Sequence, residues 1–382
     1  MHMQTKKNIL FLFAAGVMLA GILGTSCKKD AAPDYGIPTI TRVAQPLDSA
    51  SIVTGSFTQW VIIYGTHLGS TQSVSFNDQE VPYKTIYASD SSVTVQIPRA
   101  IPKDVTNTVT VTTKGGKATF SFTTVIPPLQ LTGMLNEYTA VGDTLILTGA
   151  NFDLYGLDTT ATSVTFTGGS TVNIAGGTAS TLKVVVPASA QPGPVTVKGI
   201  APLNISIATV AWYWDNRNFL FDMSNFNGWN GKTYLSSGPD PAPVNGPYFK
   251  VAKSWQGGWA WDPFCSNNCA MPAELVNDPA KYINYALKFE MYTPLNPPAL
   301  PLKLYMVFNS GNFKEFFYDA GGGSYPYSTG GKWRTFTVPL SSWGNLQGFT
   351  FSNPIIMEFM LKDSNPSQSN FSICNFRMVP IN

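Results

Sequence analysis

A long internal duplication is the feature that most constrains how this chain of 382 residues can fold. Residues 37–208 contain two copies of one pattern: an apolar run ending in Gly, then Val-x-Phe, then a second apolar run ending in Pro. Gly149 follows Gly65 by 84 residues, and Pro187 follows Pro98 by 89. A repeat of this length is a whole domain rather than one unit of a solenoid.

Alternation of Val and Thr predicts the secondary structure of the two copies. Residues 109–112 (VTVT) and 195–197 (VTV) have a period of two, which is typical of strands with one buried face. Short strands separated by Gly and Pro turns indicate an antiparallel β-sandwich. We therefore expect one sandwich over residues 37–126 and another over residues 127–208.

The order of these elements is similar to that of IPT/TIG domains, which have an immunoglobulin-like fold. The first copy also opens with residues 38–40 (PTI), as such domains do. The resemblance implies two immunoglobulin-like spacers. Within them, Trp60 lies in a strand and is interpreted as a core residue, and His67, just past the turn at Gly65, as a surface loop residue.

The composition excludes several classes of function. Only 12% of the residues are charged, against about 25% in ordinary soluble domains, and the formal net charge is +2. We therefore expect no nucleic-acid partner. The chain has two histidines, His2 in a segment expected to be removed and His67 in a surface loop. A catalytic triad or a multi-histidine metal site would have to rest on His67 alone, so both are excluded.

The N-terminus has the pattern of a secretory signal peptide. Lys6 and Lys7 precede an uncharged run of 15 residues, 9–23, which is shorter than the roughly 20 that a membrane-spanning helix needs. The run ends in residues 23–27 (LGTSC), which resemble a bacterial lipobox. That resemblance implies a signal peptide over residues 1–27, acylation of Cys27, anchoring in outer-membrane lipid, and a tether over residues 28–36.

Residues 209–382 differ sharply in composition from the two repeats. Eight of the nine tryptophans lie beyond residue 210. Residues 287–292, 302–308 and 332–341 alternate between apolar and polar side chains, as strands with one inward face do. The sequence therefore predicts an all-β chain, with a jelly-roll-like sandwich following the two immunoglobulin-like sandwiches.

Residues 249–264 (FKVAKSWQGGWAWDPF) carry the strongest signal for a binding surface. They hold Trp255, Trp259 and Trp261 around a Gly-Gly pair, and Gly weakens a strand interior. One interpretation is a water-facing aromatic platform that binds the apolar face of a sugar; the alternative is that all three rings are core residues. Further candidates for the same platform lie in Gly-containing turns or loops: Trp229, Tyr325 and Tyr327.

Other residues of this region are interpreted as structural. Trp333 is assigned to the core, and Arg217 is expected to pair with a nearby carboxylate. Cys265 and Cys269 are a candidate disulfide in an exported protein, and Cys374 is an alternative partner for either one.

The architecture as a whole resembles the surface glycan-binding proteins of Bacteroidetes polysaccharide-utilisation systems. Residues 331–343 (GKWRTFTVPLSSW) look like a turn and strand common in carbohydrate-binding jelly rolls, and residues 371–378 like their closing strand. The resemblance implies non-catalytic capture of a neutral polysaccharide, such as xyloglucan or another β-glucan-like chain, at the cell surface. It also implies an outer-membrane glycan transporter as partner. A structural Ca²⁺ is common in such jelly rolls, but no ligand set for a metal or cofactor is visible.

Two other functions remain open at this level. A glycoside hydrolase or lyase needs two carboxylates across its substrate, and the last 173 residues contain 11 Asp and Glu, including Asp262 and Glu290 as a candidate pair. An adhesin could instead use the aromatic surface to bind another protein.

Overall fold

The structure is a computed structural model, and the described residues are 35–199, 205–229, 231–256, 262–298, 303–309, 314–319, 327–352, 354–361 and 366–381. The chain divides into two compact units, one ending at Pro127 and the other beginning at Pro128. The expected all-β fold is confirmed: among the described residues, the single α-helix is α1 (Ala273–Asn277), with five residues. No helix in this described part is long and apolar enough to cross a membrane.

The first unit contains the first repeat. Its strands are β1 (Thr39–Ala44), β2 (Ser51–Ile52), β3 (Thr54–Ser56), β4 (Trp60–Thr66), β5 (Thr71–Phe76), β6 (Gln79–Glu80), β7 (Tyr87–Ala88), β8 (Ser92–Gln96), β9 (Thr108–Thr113), β10 (Gly116–Ser121) and β11 (Thr123–Val125). They form sheets in the order β2-β1-β4-β8-β7 and β10-β9-β5-β6, while β11 pairs in parallel with β3. Its buried core is dominated by valines at alternate strand positions, as the period of two predicts.

The assignment of Trp60 to the core is wrong. Its residue is 38% exposed, and its ring lies 6.1 Å from that of Tyr87, which is also exposed. The reason is parity: along β4, Val61 and Ile63 face inward, so Trp60 shares the outer face with Ile62. His67 is an exposed residue with a positive φ of 54°, which agrees with its assignment to a surface turn.

The second unit begins with the second repeat. Its strands are β12 (Gln130–Met134), β13 (Thr144–Ala150), β14 (Ser163–Phe166), β15 (Thr171–Asn173), β16 (Gly176–Gly177), β17 (Thr181–Val185), β18 (Gly193–Lys198) and β19 (Ser206–Tyr213). They form two sheets, β12-β13-β17-β16 and β15-β14-β18-β19. Apolar side chains from both sheets, including Leu147, Phe166 and Val197, make the core.

The duplicated glycines have the same structural role in both repeats. Gly65 lies opposite Ile40, and Gly149 lies opposite Leu131, each next to a bulge in the first strand of its repeat. A Cβ at Gly65 would overlap the carbonyl oxygen of Thr39, and one at Gly149 would overlap that of Gln130. Glycine therefore recurs at 65 and 149 because the neighbouring strand approaches too closely for any side chain.

The C-terminal domain continues from β19 within the second unit. Its strands are β20 (Leu235–Ser236), β21 (Tyr248–Trp255), β22 (Asp262–Cys269), β23 (Tyr285–Tyr292), β24 (Lys303–Asn309), β25 (Lys314–Asp319), β26 (Arg334–Pro339), β27 (Ile355–Leu361) and β28 (Ser367–Pro380). They form two sheets of antiparallel strands, β20-β21-β28-β23-β26 and β22-β27-β24-β25, whose aromatic-rich inner faces pack against each other. The 3₁₀ helices within the described residues are Tyr83–Thr85, Lys232–Tyr234, Pro279–Asn284 and Leu340–Trp343.

Four connections cross between these two sheets at the same end of the sandwich. They join β21 to β22, β23 to β24, β25 to β26 and β27 to β28. The strand register fixes this end, because Trp255 lies opposite Ser367 and Asp262 lies opposite Leu361. The connections that contain the Trp cluster and the Tyr325–Tyr327 segment thus begin and end there, although about 70 residues separate them in sequence.

A buried ion network joins the second repeat to the C-terminal domain. Arg377 is fully buried and bonds both Glu290, at 2.9 Å, and Glu137, at 2.6 Å. Lys288 also pairs with Glu137. Glu137 belongs to the loop after β12, whereas the other three residues lie on the five-stranded sheet of the C-terminal domain. The backbone N–H of Thr335 further donates to the carbonyl oxygen of Leu135 at 3.0 Å.

Candidate glycan-binding surface

Trp229 is the described tryptophan whose side chain is best placed to meet a ligand. It is 64% exposed, more than the other tryptophan among the exposed residues, Trp60, at 38%. Its backbone N–H donates to the carbonyl oxygen of Ser266 at 3.0 Å, which attaches the loop to β22. Because β22 is the edge strand of its sheet, this loop pairs with an otherwise open edge and presents the indole to solvent.

Two neighbouring glycines allow the backbone around Trp229 to lie this close to β22. A Cβ at Gly228 would overlap the carbonyl oxygen of Ser266, and one at Gly231 would lie 2.5 Å from that of Phe264. Gly231 also has a φ of 104°, which side-chain-bearing residues rarely adopt. The motif at residues 227–231 (NGWNG) therefore belongs to a loop that is held close to β22. In the sequence, the glycines on either side of Trp229 were what indicated this loop.

The tryptophan cluster precedes the same edge strand in sequence. Trp255 is the last residue of β21, and β22 begins at Asp262. The side chain of Trp255 and residues 257–261, which include Trp259 and Trp261, lie outside the described residues, as does Tyr325. Their place in a binding platform stays a prediction. Ser266, to which Trp229 is attached, is only four residues beyond the start of β22, about 13 Å along a strand.

Tyr327 is more strongly packed than a flexible loop residue would be. It is half-buried, and its ring lies edge-on to Phe336 with the centroids 5.8 Å apart. Burial raises the pKa of its hydroxyl. It also lines a shallow cleft with Pro297, Pro298 and the exposed amide side chain of Gln368. Tyr327 therefore contributes one edge of its ring and its hydroxyl to this end of the sandwich rather than a free stacking face.

An aromatic cluster that sequence reasoning missed lies on the outer face of the five-stranded sheet. Trp333 is half-buried there, next to Tyr248 at 5.5 Å and Tyr292 at 5.7 Å, and its Nε1 donates to the carbonyl oxygen of Ala242 at 2.9 Å. The assignment of Trp333 to the core is wrong. Trp333 lies just before β26, an odd number of residues from the inward-facing Phe336, and therefore points to the opposite face. The sequence showed the alternation in residues 332–341, but it did not show which of the two alternating faces is buried.

Arg217 has the structural role expected for it. Its Nε and Nη2 donate to the two carboxylate oxygens of the buried Asp215, both at 2.9 Å, and its guanidinium lies 3.6 Å from the centre of the Trp212 ring. A bidentate pair stacked on an indole fixes the chain where β19 leads into the C-terminal domain.

The predicted disulfide between Cys265 and Cys269 is wrong, and Cys374 pairs with neither. All three cysteines are buried free thiols. Cys265 and Cys269 lie four residues apart on the same extended strand, β22. That spacing is about 13 Å, whereas disulfide-bonded Cα atoms lie within about 7 Å. Cys265 and Cys269 instead fill the core as small apolar groups.

The candidate catalytic pair Asp262 and Glu290 is not supported by the geometry around Glu290. This carboxylate is fully buried, accepts two hydrogen bonds from Arg377 and one from Thr335, and lies beneath the second repeat. Burial raises its pKa, with the Arg377 charge opposing that effect. A group so enclosed cannot reach a glycosidic bond. Among the described residues, no group of three or more His, Cys, Asp or Glu side chains could hold a metal ion.

Comparisons with known proteins agree with this architecture. Residues 213–380 match the family model described as the surface glycan-binding protein B xyloglucan binding domain. An IPT/TIG domain-containing protein from Bacteroides ovatus is 28% identical over 151 residues, which make up 37% of this chain. This alignment spans only 30% of the length of that relative.

One solved structure has a similar fold over most of the chain. The surface glycan-binding protein PbSGBP-B from Prevotella bryantii superposes with a TM-score of 0.54 at 20% identity, covering 91% of this chain and 99% of that protein. The SGBP-B of a complex xyloglucan utilization locus in Bacteroides uniformis gives a TM-score of 0.44 at 16% identity, covering 90% and 99%. The predicted resemblance and the predicted fold are thereby confirmed: residues 213–380 are similar to the xyloglucan binding domain of surface glycan-binding proteins B, carried here behind two immunoglobulin-like repeats.

Proposed function

We propose that this protein captures a neutral, β-glucan-like polysaccharide, with xyloglucan as the first candidate, by stacking sugar rings on Trp229 and on indoles of the Trp255–Trp261 segment. The observation that carries the proposal is the 64% exposure of Trp229 on a loop held rigidly against β22. An exposed indole in a fixed position is already organised for binding, so little freedom is lost when a sugar covers it.

The size of the contact suits reversible capture. If one indole removes about 100 Å² of apolar surface from water, it contributes about 2.5 kcal/mol at 25 cal/mol/Å². Two or three such rings supply about 5–8 kcal/mol before the costs of association and of ordering a flexible chain are subtracted. The remaining affinity corresponds to roughly micromolar to millimolar Kd, which allows a bound glycan to be released onward.

We propose further that the protein does not cleave the glycan and that it acts at the outer surface of the cell. The burial of Glu290 supports the first part. The lipobox-like residues 23–27 support anchoring in outer-membrane lipid through acylated Cys27. A chain anchored there and binding weakly would deliver its ligand to an outer-membrane glycan transporter, which is the partner proposed for it.

Affinity electrophoresis tests the binding. The purified full chain is run in gels containing xyloglucan or mixed-linkage β-glucan, and the Kd is measured by titration calorimetry. We expect retardation of the wild type, and about 10- to 50-fold weaker binding by Trp229→Ala. The matched control is Trp60→Ala, an exposed indole in the first unit, which should bind like the wild type.

Three results would contradict the proposal in different ways. Failure of the wild type to bind any neutral glucan would remove the binding function. New reducing ends after incubation with purified protein would make it a hydrolase. Normal binding by Trp229→Ala, with loss of binding by Trp259→Ala, would mean that the platform lies on the connection between β21 and β22 and not on the Trp229 loop.

A further inference from the structure

A cavity of about 520 Å³ lies at the opposite end of β22 from the tryptophan cluster. Its walls come from the segment that follows Arg217, from the turn before β21 and from β28. Its volume is within the range of roughly 300–1,000 Å³ that is typical of ligand pockets. Nothing in the glycan-binding surface described above uses it.

A β-bulge directs Asn375 to this cavity. Between the pairs Lys288–Arg377 and Glu290–Cys374, β28 has two residues where β23 has only Phe289. The extra residue leaves Asn375 with a φ of 55°, a left-handed conformation that Asn tolerates better than most residues. Bulges of this kind reorient side chains and are common next to functional sites.

The amide of Asn375 lacks a partner. The residue is only 6% exposed, it lines the cavity, and its Nδ2 makes no hydrogen bond to the described part of the protein. Its backbone carbonyl oxygen accepts a hydrogen bond from Nη1 of Arg377 at 2.9 Å. The backbone is therefore held in place, while the side-chain nitrogen has no acceptor among the described residues. A buried donor without an acceptor costs free energy, so its place in the wall of a cavity calls for an explanation.

The remaining walls combine apolar rings with hydrogen-bonding groups. The ring of Phe221 is fixed by stacking on Phe376 at 5.5 Å and by Phe226 at 5.6 Å. Asp222 accepts hydrogen bonds from the Asn225 side chain at 2.7 Å and from the Ser224 N–H at 2.8 Å, which lower the pKa of its carboxyl and keep it an acceptor. A flat apolar wall beside amide and carboxylate groups matches the CH face and hydroxyl edge of a pyranose.

The cavity and Trp229 lie along the same edge strand. Trp229 is attached at Ser266, and the cavity reaches Ala270, whose N–H donates to the carbonyl oxygen of Leu220 at 2.8 Å. Four residues of strand separate the two points, about 13 Å. We propose that the cavity beside Asn375 is a second subsite, which binds one pyranose unit or side branch of the neutral glycan whose backbone lies on Trp229; this inference rests on the proposed function.

Filling the cavity in the full chain tests the subsite. Ala270→Trp places an indole at its exposed rim, and Asp222→Asn removes the carboxylate charge while keeping the shape. The control is Ala280→Trp, an exposed alanine in the Pro279–Asn284 helix, away from the cavity. Calorimetric Kd values are compared for xyloglucan, for cellohexaose and for cellobiose, after thermal denaturation has confirmed that each variant folds.

We expect Ala270→Trp and Asp222→Asn to weaken xyloglucan binding about five- to thirtyfold. Both variants should bind cellobiose with the same Kd as the wild type, because cellobiose is too short to bridge the two positions. If Ala270→Trp does not fold, Asp222→Asn decides the question alone.

Three other results would overturn the subsite. Normal xyloglucan binding by both variants, with weakened binding by Trp229→Ala, would remove the subsite and leave the proposed function intact. Equal weakening for cellobiose and xyloglucan would mean that the changes act through the Trp229 loop. Absence of binding by the wild type itself would remove the proposed function and the subsite with it.

Discussion

At the scale of single residues, burial follows position rather than residue type. Trp343 is buried, Trp333 is half-buried and Trp229 is mostly exposed, although all three belong to the same domain. The strand period predicts that neighbours face opposite ways, but it does not say which face is covered. A ring in a glycine-rich loop, such as Trp229, was the better candidate for exposure than a ring beside a strand.

The three cysteines give a residue-scale prediction. Burial raises the pKa of Cys269 to about 12, and also raises the pKa of Cys265 and Cys374. Because the thiolate is the reactive form, all three should resist a thiol reagent at mildly alkaline pH in a Cys27→Ser protein. All three should then react once guanidinium chloride unfolds the chain.

The reaction can be followed with Ellman's reagent. Rapid release of the coloured product from the native protein would contradict the burial of these thiols. Recovery of only one reactive thiol after unfolding without a reductant would instead indicate a disulfide.

At the scale of elements, the edge strand β22 organises the candidate site. The Trp229 loop bonds to it, and the cavity beside Asn375 reaches Ala270, the residue that follows it. An open edge strand is a place where other chains can pair, and the 228–231 segment covers part of this edge. The segment thus has two roles: it protects the edge and positions the indole.

Gly231 tests the close approach of this segment to β22. Gly231→Ala should lower the free energy of unfolding by about 2–4 kcal/mol, since its φ is 104° and its new Cβ would lie 2.5 Å from the Phe264 oxygen. Gly344→Ala is the matched control, because Gly344 has a φ of 88° but no atom within 4 Å of a Cβ. Gly344→Ala should lower the free energy of unfolding by about 1 kcal/mol.

Urea denaturation measures both variants. Equal losses would show that backbone conformation alone, and not the contact with β22, accounts for the glycine. Gly231→Ala should also bind xyloglucan more weakly, because the Trp229 loop must move to accommodate the new methyl group.

At the scale of the whole molecule, the ion network makes one compact unit of the second repeat and the C-terminal domain. Glu137, Lys288, Glu290 and Arg377 are all buried, and they come from parts of the sequence up to 240 residues apart. Removing one member leaves a buried charge without its partner, which is far more costly than breaking an exposed pair. Stability of the binding domain therefore depends on the repeat before it.

Glu137→Gln tests this dependence. It should lower the free energy of unfolding by about 3–5 kcal/mol, because Lys288 and Arg377 lose their shared anionic partner. Glu274→Gln, which breaks the exposed pair with Lys281, should cost no more than about 1 kcal/mol.

Scanning calorimetry measures the effect. The wild-type second repeat and C-terminal domain should unfold in a single transition. Two separate transitions in the wild type, or equal effects of the two substitutions, would show that the network does not couple them.

Periodicity and composition within short segments were enough to predict the strand content, the two repeats and the concentration of aromatic residues in the last domain. The sequence also indicated Trp229 through its glycines, and Arg217 through the nearby Asp215. Local patterns carry this information since strands and turns are formed by neighbours in the chain.

Which faces are covered and which distant residues meet became clear only from the three-dimensional fold. It exposed Trp60, placed Trp333 on an outer face, separated Cys265 from Cys269, and joined Glu137 to Arg377. It also aimed Asn375 at a cavity through a bulge that depends on the register of two strands about 85 residues apart. Burial and register are set by contacts across sheets and domains, and no local pattern contains them.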